Sequence, residues 1–190
     1  LDPFAGGGTV LVEAAARWPD VSLFGSDLHE RCVDGVRQNL EHAGAAARSE
    51  VRGGDARSLD QLWPDHRFDT IVTNPPFGGM EEDGIETNFP ATFRTRETAD
   101  LFLVLIMQLL KTGGRAAVVL PDCFLFGEGI KTRIKEKLLE DCNLHTIVRL
   151  PNSVFAPYTG IKTNLLFFTK GSPTQDIWFY EHPLPPGVKA

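Results

Sequence analysis

"FDTIVTNPPFGG", residues 68–79, changes character halfway and thereby decides the fold: an apolar, β-branched run stops in a stiff turn. Residues 68–73 have the composition of a buried strand. The pair Pro75-Pro76 ends that strand, because proline has no N–H to donate to a neighbouring strand. We therefore expect a strand whose carboxyl end opens into a rigid turn, the position where open α/β sheets bind their ligands.

Strand-like and helical segments alternate on both sides of this turn. We predict strands at 21–26, 49–53, 68–73, 115–120, 144–150, 162–170 and 176–181, and helices at 10–17, 29–43, 100–111 and 131–141. Thr95 is expected to cap the helix 100–111 and Gly113-Gly114 to end it, whereas residues 78–93 have the composition of a polar loop. The alternation predicts βαβ units and a mostly parallel sheet.

Length and composition limit the class of protein. The 190 residues suffice for one α/β domain with a core, and no apolar run reaches the ~20 residues of a membrane helix. The start is not a signal peptide, and Leu1-Asp2 resembles the end of a strand, so we interpret the chain as a fragment whose upstream segment is missing. Three scattered cysteines and five histidines lack metal-site spacing, which predicts no metal and a cytoplasmic location.

The glycine-rich stretch "DPFAGGGT", residues 2–9, is the first candidate ligand site. It lies between the presumed strand end and a helix. Its glycines allow a tight turn close to a ligand, and the helix start offers free N–H groups. A plain strand-to-helix turn is the alternative. The spacing is not G-x-G-x-x-G, so a pyrophosphate dinucleotide is less favoured.

Two carboxylates follow the next two predicted strands. Asp27 ends "LFGSD", where an acid can accept hydrogen bonds from both hydroxyls of a ribose; a helix cap is the alternative. Asp55, in "GGDARSLD", is placed to accept a hydrogen bond from an exocyclic amine, and a simple Asp turn is equally compatible with its sequence. Together with the glycine stretch, the two acids favour a nucleoside ligand.

Asn74-Pro75-Pro76-Phe77 combines a stiff backbone, two acceptors and an aromatic face. The prolines fix the Asn74 side-chain oxygen and the Pro75 carbonyl in space, and two acceptors suit the two donors of an –NH₂ group. Phe77 offers a flat surface to a planar base. Hydrogen bonds that draw the amine protons out of the ring plane would make that nitrogen more nucleophilic. The alternative is a rigid surface turn.

These motifs resemble those of amino-methyltransferases that use S-adenosylmethionine. The resemblance rests on Asp2-x-x-x-Gly6-x-Gly8 and on Asn74-Pro75-Pro76-Phe77. It implies a Rossmann-like class I α/β fold, with a mostly parallel seven-stranded sheet, an antiparallel last strand and, in this chain, a truncated first strand. It also implies that residues 1–190 form a single methyltransferase catalytic domain.

The resemblance implies a role for each matched residue. Asn74, Pro75, Pro76 and Phe77 would be catalytic. The expected cofactor-binding residues are Asp2, Phe4, Gly6, Gly8, Asp27 and Asp55.

From residue 78 onward the chain closely resembles the modification subunit of type I restriction–modification systems, through "RTRETADLFLVLIMQLLKTGGRAAVVLPDCF" and "IVRLPNSVFAPYTGIKTNLLFFTKG". This implies methylation of adenine N6 in DNA, with DNA, a specificity subunit and a restriction subunit as partners and no membrane. Phe155 and Tyr158 match the segment that packs against a flipped base, although core packing is an equal alternative for Phe155.

The front of the chain differs from that family. "LDPFAGGGTVLVEAA" and "GGDARSL" look more like RNA guanine-N2 methyltransferases associated with a THUMP domain. The two resemblances meet at the turn, so a chimera is one interpretation. RNA guanine-N2 methylation and a non-catalytic cofactor-binding fragment remain the alternative functions.

Two further candidates are weaker. Lys131, Arg133, Lys135 and Lys137 could contact phosphates but more often form a solvated helix face. Cys123 lacks the Pro-Cys turn that a cytosine-C5 nucleophile requires.

Acidic residues outnumber basic ones, 25 to 19, which argues against a nucleic-acid binder acting alone.

Overall fold

Strands and helices alternate along the chain as the sequence predicts. A computed structural model describes residues 1–77, 79, 93, 95–152, 154–184 and 187. The helices are α1 Thr9–Arg17, α2 Glu30–His42, α3 Leu59–Leu62, α4 Thr98–Leu109, α5 Asp122–Phe126 and α6 Ile130–Asp141. The strands are β1 Leu23–Asp27, β2 Ser49–Gly53, β3 Phe68–Thr73, β4 Leu110–Pro121, β5 Cys142–Arg149, β6 Thr163–Lys170 and β7 Trp178–Glu181. The predicted loop at 78–93 lies almost entirely outside the described residues.

The strands form a parallel pair and a five-stranded sheet. β1 pairs with β2, and the larger sheet has the order β3-β4-β6-β5-β7. Leu1 and Asp2 lie between the two groups, because Asp2 N–H donates to Phe24 O (2.9 Å) and Val72 N–H donates to Leu1 O (3.1 Å). These two residues therefore take the place of a central strand and bring the ends of β1 and β3 side by side.

The reversed strand is not the last one in the chain. β6 runs antiparallel to both β4 and β5, between which it lies, whereas β7 pairs parallel with β5. The expected antiparallel last strand is therefore β6, followed by one further edge strand. The connection from β5 to β6, residues 150–162, reverses the chain, and residues 171–177 lead from β6 across to the free edge of β5.

Helix α4 forms the centre of the core. Eleven of its residues are buried, on every side of the helix, so it lies inside the protein rather than on its surface. It packs on β4, whereas α1 and α2 pack on the β1–β2 pair and α6 packs on β5. α4 thus presents its first turn to the carboxyl ends of the strands.

The boundaries of α4 differ from prediction at both ends. Its N-cap is Glu97, and Thr95 instead accepts a hydrogen bond from the Glu97 N–H (3.1 Å). At the other end the helix stops at Leu109, before the glycines, and β4 begins at once. Lys170 of β6 donates to Met107 O (2.6 Å) and Leu110 O (2.9 Å), and this long-range cap is what the local sequence cannot reveal.

Candidate active site

A cavity of about 580 Å³ opens at the carboxyl ends of β1, β2 and β3. Its lining residues are Pro3, Phe4, Asp27, Leu28, His29, Asp55, Ala56, Arg57, Asn74, Pro75, Pro76, Phe77, Thr98 and Phe102. Seven of the predicted site residues are among them: Phe4, Asp27, Asp55 and the whole Asn74–Phe77 turn. The strand ends therefore bring together motifs that are far apart in sequence, as expected for an open α/β sheet.

The glycine-rich turn needs glycine for two separate reasons. Gly6 and Gly8 have φ values of 51° and 82°, in the left-handed region. A Cβ on Gly8 would also stand 3.1 Å from Val36 Cγ1 of α2. Gly8 is the N-cap of α1, so the turn delivers the chain directly into that helix while staying close to its neighbour.

Asp27 organises this turn and still faces the cavity. Its Oδ2 accepts a hydrogen bond from the Gly6 N–H (2.9 Å), and its Oδ1 accepts one from the His29 N–H (3.0 Å). The N-cap of α2 is His29, so the helix-cap alternative for Asp27 is wrong, and its carboxylate makes a turn just before the helix. A carboxylate has about four acceptor sites, so Asp27 can still accept a hydrogen bond from a ligand.

Asp2 occupies a different place from the one expected. Its side chain is buried and is not among the cavity-lining residues. Asp2 Oδ1 accepts from Thr73 Oγ1 (2.8 Å) and from the Phe4 N–H (3.2 Å), and burial raises the pKa of Asp2 to about 6. Asp2 therefore links the glycine-rich turn to the end of β3 through buried hydrogen bonds outside the cavity lining.

Asp55 has a charged partner that the sequence analysis did not anticipate. Arg57 Nε donates to Asp55 Oδ2 (2.7 Å), and the Arg57 backbone N–H donates to Oδ1 (2.8 Å). Hydrogen bonds from the Arg57 side chain lower the pKa of Asp55. The carboxylate thus lines the cavity as half of an ion pair, and an amine would have to share it with Arg57.

In the Asn-Pro-Pro-Phe turn, the asparagine that carries the side-chain acceptor is exposed, whereas the first proline is buried. Asn74 is exposed, Pro75 is buried and Phe77 is half-buried. Within the part of the chain that the structure describes, no protein group is hydrogen-bonded to the Asn74 side chain. A buried proline holds the turn while the amide beside it stays free to bind a ligand.

Phe155 and Tyr158 have different surroundings, although the sequence paired them. The Phe155 ring contacts Phe77 edge-on, with centroids 4.9 Å apart and planes at 70°. Tyr158 is 93% exposed. Neither residue lines the cavity. Phe155 packs against Phe77, whereas Tyr158 is exposed to solvent.

Several lining residues were not singled out from the sequence. Phe102 contacts Phe4 with ring centroids 4.3 Å apart, and it comes from a helix whose uniformly apolar sequence hides which residue faces a cavity. Thr98 begins the same helix. Arg57 follows Asp55 by two residues, a spacing that allows a local ion pair and could have indicated this contact.

A smaller cavity of about 280 Å³ lies on the other side of Phe77, where Lys131, Glu97 and Asp100 help to line it. Lys131 Nζ donates to Asp100 Oδ2 (2.7 Å) and also pairs with Glu97. Burial tends to lower the pKa of Lys131, but the hydrogen bonds to Asp100 and Glu97 outweigh it and raise that pKa. This lysine is a buried structural cation.

The rest of the predicted basic run is also largely engaged. Lys135 donates to the carbonyl oxygens of Leu125 (2.7 Å) and Gly127 (2.8 Å), and Lys137 pairs with Asp141. Lys131 and Lys135 therefore turn inward toward α4 and α5, whereas Arg133 is exposed.

Nearly the whole chain matches one protein family. The sequence model described as N-6 DNA Methylase matches residues 1–188. The chain belongs to the N-6 DNA methylase family. The methylase subunit of type I restriction enzyme EcoEI from Escherichia coli is 74% identical over 125 residues, which are 66% of this chain and 26% of that protein. The matched part of the chain thus spans about a quarter of this curated relative.

A solved structure extends the comparison to the fold. A chain from Vibrio vulnificus YJ016, assigned as the modification subunit of a type I restriction enzyme, superposes with a TM-score of 0.88 at 44% identity. The superposition covers 99% of the present chain and 43% of that protein. The predicted class I S-adenosylmethionine-dependent methyltransferase fold and the resemblance to modification subunits are both confirmed.

The second resemblance also has a counterpart. The tRNA (guanine(10)-N2)-dimethyltransferase of Methanothermobacter thermautotrophicus is 42% identical over 78 residues, which are 41% of the present chain and 21% of that enzyme. By contrast, the N-6 DNA methylase family model spans almost the whole chain. One family therefore accounts for both parts of the sequence.

Two kinds of feature are absent from the described part of the chain. None of its helices combines the length and apolarity needed to cross a membrane. Among the same residues, no group of three or more histidine, cysteine or acidic side chains is arranged to hold a metal ion.

Proposed function

We propose that the chain transfers a methyl group from S-adenosylmethionine to the N6 amino group of adenine in DNA, as part of a type I restriction–modification system. The observation that carries the proposal is the shared cavity. The Asn74–Phe77 turn at the end of β3 lines it together with Asp27 and Asp55 from the ends of β1 and β2. Family membership supplies the reaction class.

The cavity suits the proposed cofactor in size and chemistry. Its volume of about 580 Å³ lies within the range of small-molecule sites. In our proposal Asp27 accepts from the ribose hydroxyls, Asp55 with Arg57 faces the adenine, and Phe4 and Phe102 supply apolar surface. Gly6 and Gly8 are not among the lining residues, but the space beside Gly6 is open, and we assign it to the methionine end. S-adenosylmethionine would supply a sulfonium-bound methyl group.

The Asn74–Phe77 turn would bind the target amine. Asn74 Oδ1 and the Pro75 carbonyl accept hydrogen bonds from its two N–H groups, which favours a pyramidal and more nucleophilic nitrogen. Phe77 stacks on the base. A base in a duplex must leave the stack to reach this turn. Catalysis then consists mainly of orientation and electrostatics. No strong general base is needed, because the methylated ammonium is acidic enough to lose its proton afterwards.

The likeness to type I methylase subunits also supports a set of partners. We propose that a specificity subunit supplies sequence recognition and that a restriction subunit joins the same system. The excess of acidic residues, 25 against 19, fits a chain that depends on a partner to hold DNA. Residues 1–190 would act as one catalytic domain, and three free thiols favour a cytoplasmic location.

Methylation with labelled S-adenosylmethionine tests the substrate. The full-length protein, purified with its accompanying subunits, would be offered duplex DNA and, separately, tRNA and rRNA. We expect label on adenine N6 of DNA. Label in RNA guanine and none in DNA would overturn the proposal in favour of guanine-N2 methylation, which the 42% identity over 78 residues supports.

Calorimetric titration with S-adenosylhomocysteine tests the remaining alternative, a scaffold that binds the cofactor without turnover. Binding accompanied by methylation supports the proposal. Binding without methylation of either nucleic acid supports the scaffold, and failure of both would contradict the cofactor assignment.

A further inference from the structure

Asp122 lies outside the cavity yet receives two side-chain hydrogen bonds. It is the first residue of α5, directly after β4. Its Oδ2 accepts from Arg149 Nη2 (2.6 Å) and its Oδ1 accepts from Asn164 Nδ2 (2.7 Å). Arg149 is the last residue of β5, and Asn164 lies at the start of β6. One carboxylate therefore connects the ends of three strands.

These contacts lie at the two ends of the connection between β5 and β6, and two backbone hydrogen bonds join them there. Asp122 N–H donates to Lys162 O (2.9 Å), at the end of the connection. Leu150 N–H donates to Thr163 O (3.0 Å) and holds its beginning against its end. The two ends of the connection are thus held together by the Asp122 carboxylate and by two backbone hydrogen bonds.

The same connection carries Phe155. The Phe155 carbonyl accepts from the N–H groups of Tyr158 (2.9 Å) and Thr159 (3.1 Å), which fold the chain tightly around this residue. Its ring then meets Phe77 edge-on at 4.9 Å. The position of the Phe155 ring therefore depends on where the two ends of the connection are held.

We propose that Asp122 is a positioning residue, which clamps the connection so that Phe155 supports the Phe77 ring. The Asp122 and Arg149 side chains are 20% and 34% exposed, so the charge-assisted hydrogen bond is partly shielded from water. The inference rests on the proposed function in assigning Phe77 to the nucleobase. Displacement of a substrate-positioning group by about 1 Å can cost up to ~10²-fold in rate.

The first experiment observes the aromatic contact directly, without turnover. 4-Fluorophenylalanine is placed at position 155 of the full-length protein and its ¹⁹F resonance is recorded. Phe77→Leu removes the neighbouring ring and calibrates the shift. We expect Asp122→Ala to move the resonance toward the Phe77→Leu value. Asp69→Ala is the matched control, because Asp69 also accepts from a cation, Lys111 (2.8 Å), but at the opposite ends of β3 and β4.

The second experiment separates positioning from general stability. We expect Asp122→Ala to lower kcat/KM for the nucleic-acid substrate by about tenfold or more, with S-adenosylhomocysteine affinity unchanged. Asp122→Glu, which keeps the carboxylate, should recover part of the loss, and Asp69→Ala should leave both values near wild type.

An unmoved ¹⁹F resonance in Asp122→Ala, with a clear shift in Phe77→Leu, would overturn the inference. Equal loss of cofactor affinity and turnover would also overturn it. If Asp122→Ala does not fold, Asn164→Ala releases one end of the connection alone and is expected to give a smaller shift of the same sign. If the unaltered protein methylates nothing, the proposed function fails, while the ¹⁹F experiment still tests the clamp.

Discussion

Two polar side chains at the ends of neighbouring chain segments have opposite surroundings. Asp2 is buried beneath the cavity and accepts from Thr73 and Phe4, whereas Asn74 is exposed at its edge. A buried carboxylate that supports two segments affects the stability of the fold, while an exposed amide beside a cavity affects the ligand. The two residues therefore call for different measurements.

Asn74→Ala tests the proposed catalytic residue. The variant removes one acceptor for the target amine and leaves Asp27, Asp55 and the glycine-rich turn intact. We expect turnover to fall by at least ~10²-fold, the scale for loss of one contact made in the transition state. Affinity for S-adenosylhomocysteine, measured by calorimetric titration, should stay near normal. Equal loss of turnover and affinity would instead show that Asn74 maintains the structure of the turn.

Asp2→Asn tests the buried carboxylate through pH. Burial raises the pKa of Asp2 from 3.8 to about 6, so the folded state holds this proton more tightly than the unfolded chain does. The contribution of Asp2 to the free energy of unfolding therefore falls as pH rises from about 4 to about 6, by up to about 3 kcal/mol. Asparagine can still accept from Thr73 and Phe4 but does not titrate.

Urea unfolding at several pH values measures this difference. We expect the wild type to lose stability relative to Asp2→Asn between pH 4 and pH 7, and the gap to stay constant above that range. Parallel curves for the two proteins would show that the pKa of Asp2 does not change on folding.

At the scale of elements, helices α4 and α6 are joined by a buried ion pair. Asp100 of α4 and Lys131 of α6 have side chains that are 1% and 10% exposed, so neither charge has water as a substitute partner. Because Thr98 in the first turn of α4 lines the main cavity, this ion pair also holds one wall of the site. Neither helix sequence reveals the pairing on its own.

Lys131→Met should therefore destabilise the fold strongly. It leaves Asp100 buried without its cation, and breaking such a pair typically costs about 3–5 kcal/mol. Lys111→Met is the matched control, because Lys111 and its partner Asp69 are 49% and 83% exposed. An exposed pair contributes less than about 1 kcal/mol. Chemical unfolding compares the two variants, and equal losses would contradict the structural role assigned to Lys131.

At the scale of the whole molecule, the sequence carries an excess of negative charge, and three lysines among the described residues are paired with other protein groups. The formal net charge is −6, and Lys131, Lys135 and Lys137 are engaged with protein groups. Phosphate neutralisation by lysine and arginine supplies most non-specific affinity for DNA. The proposed function therefore includes a partner that brings DNA to the cavity.

Binding of duplex DNA by the chain alone should therefore be weak. We expect a Kd above the usual non-specific range of about 10⁻⁴–10⁻⁶ M at physiological salt. Fluorescence anisotropy of a labelled duplex measures it, and a specificity subunit added to the same sample should tighten binding. Micromolar binding by the chain alone, with the usual steep salt dependence, would contradict this account.

The sequence predicts local features of this fold better than long-range ones. The bounds of β2 and β3 match the prediction, because turn residues and apolar runs define them locally. The gathering of Asp27, Asp55 and Asn74 follows from strand ends sharing one edge. The burial of Asp2, the Arg57–Asp55 pair and the inward-facing Lys131 depend on which elements lie side by side. That information is not contained in spacing or composition.

Lys170 has a consequence for the order in which the protein matures on the ribosome. The carbonyls of Met107 and Leu110, where α4 gives way to β4, receive their hydrogen bonds from a side chain about sixty residues downstream. During translation these two hydrogen bonds cannot form until residue 170 has been synthesised and has left the exit tunnel. The central helix of the nascent chain therefore acquires its finished end only after the reversed strand has been synthesised and inserted.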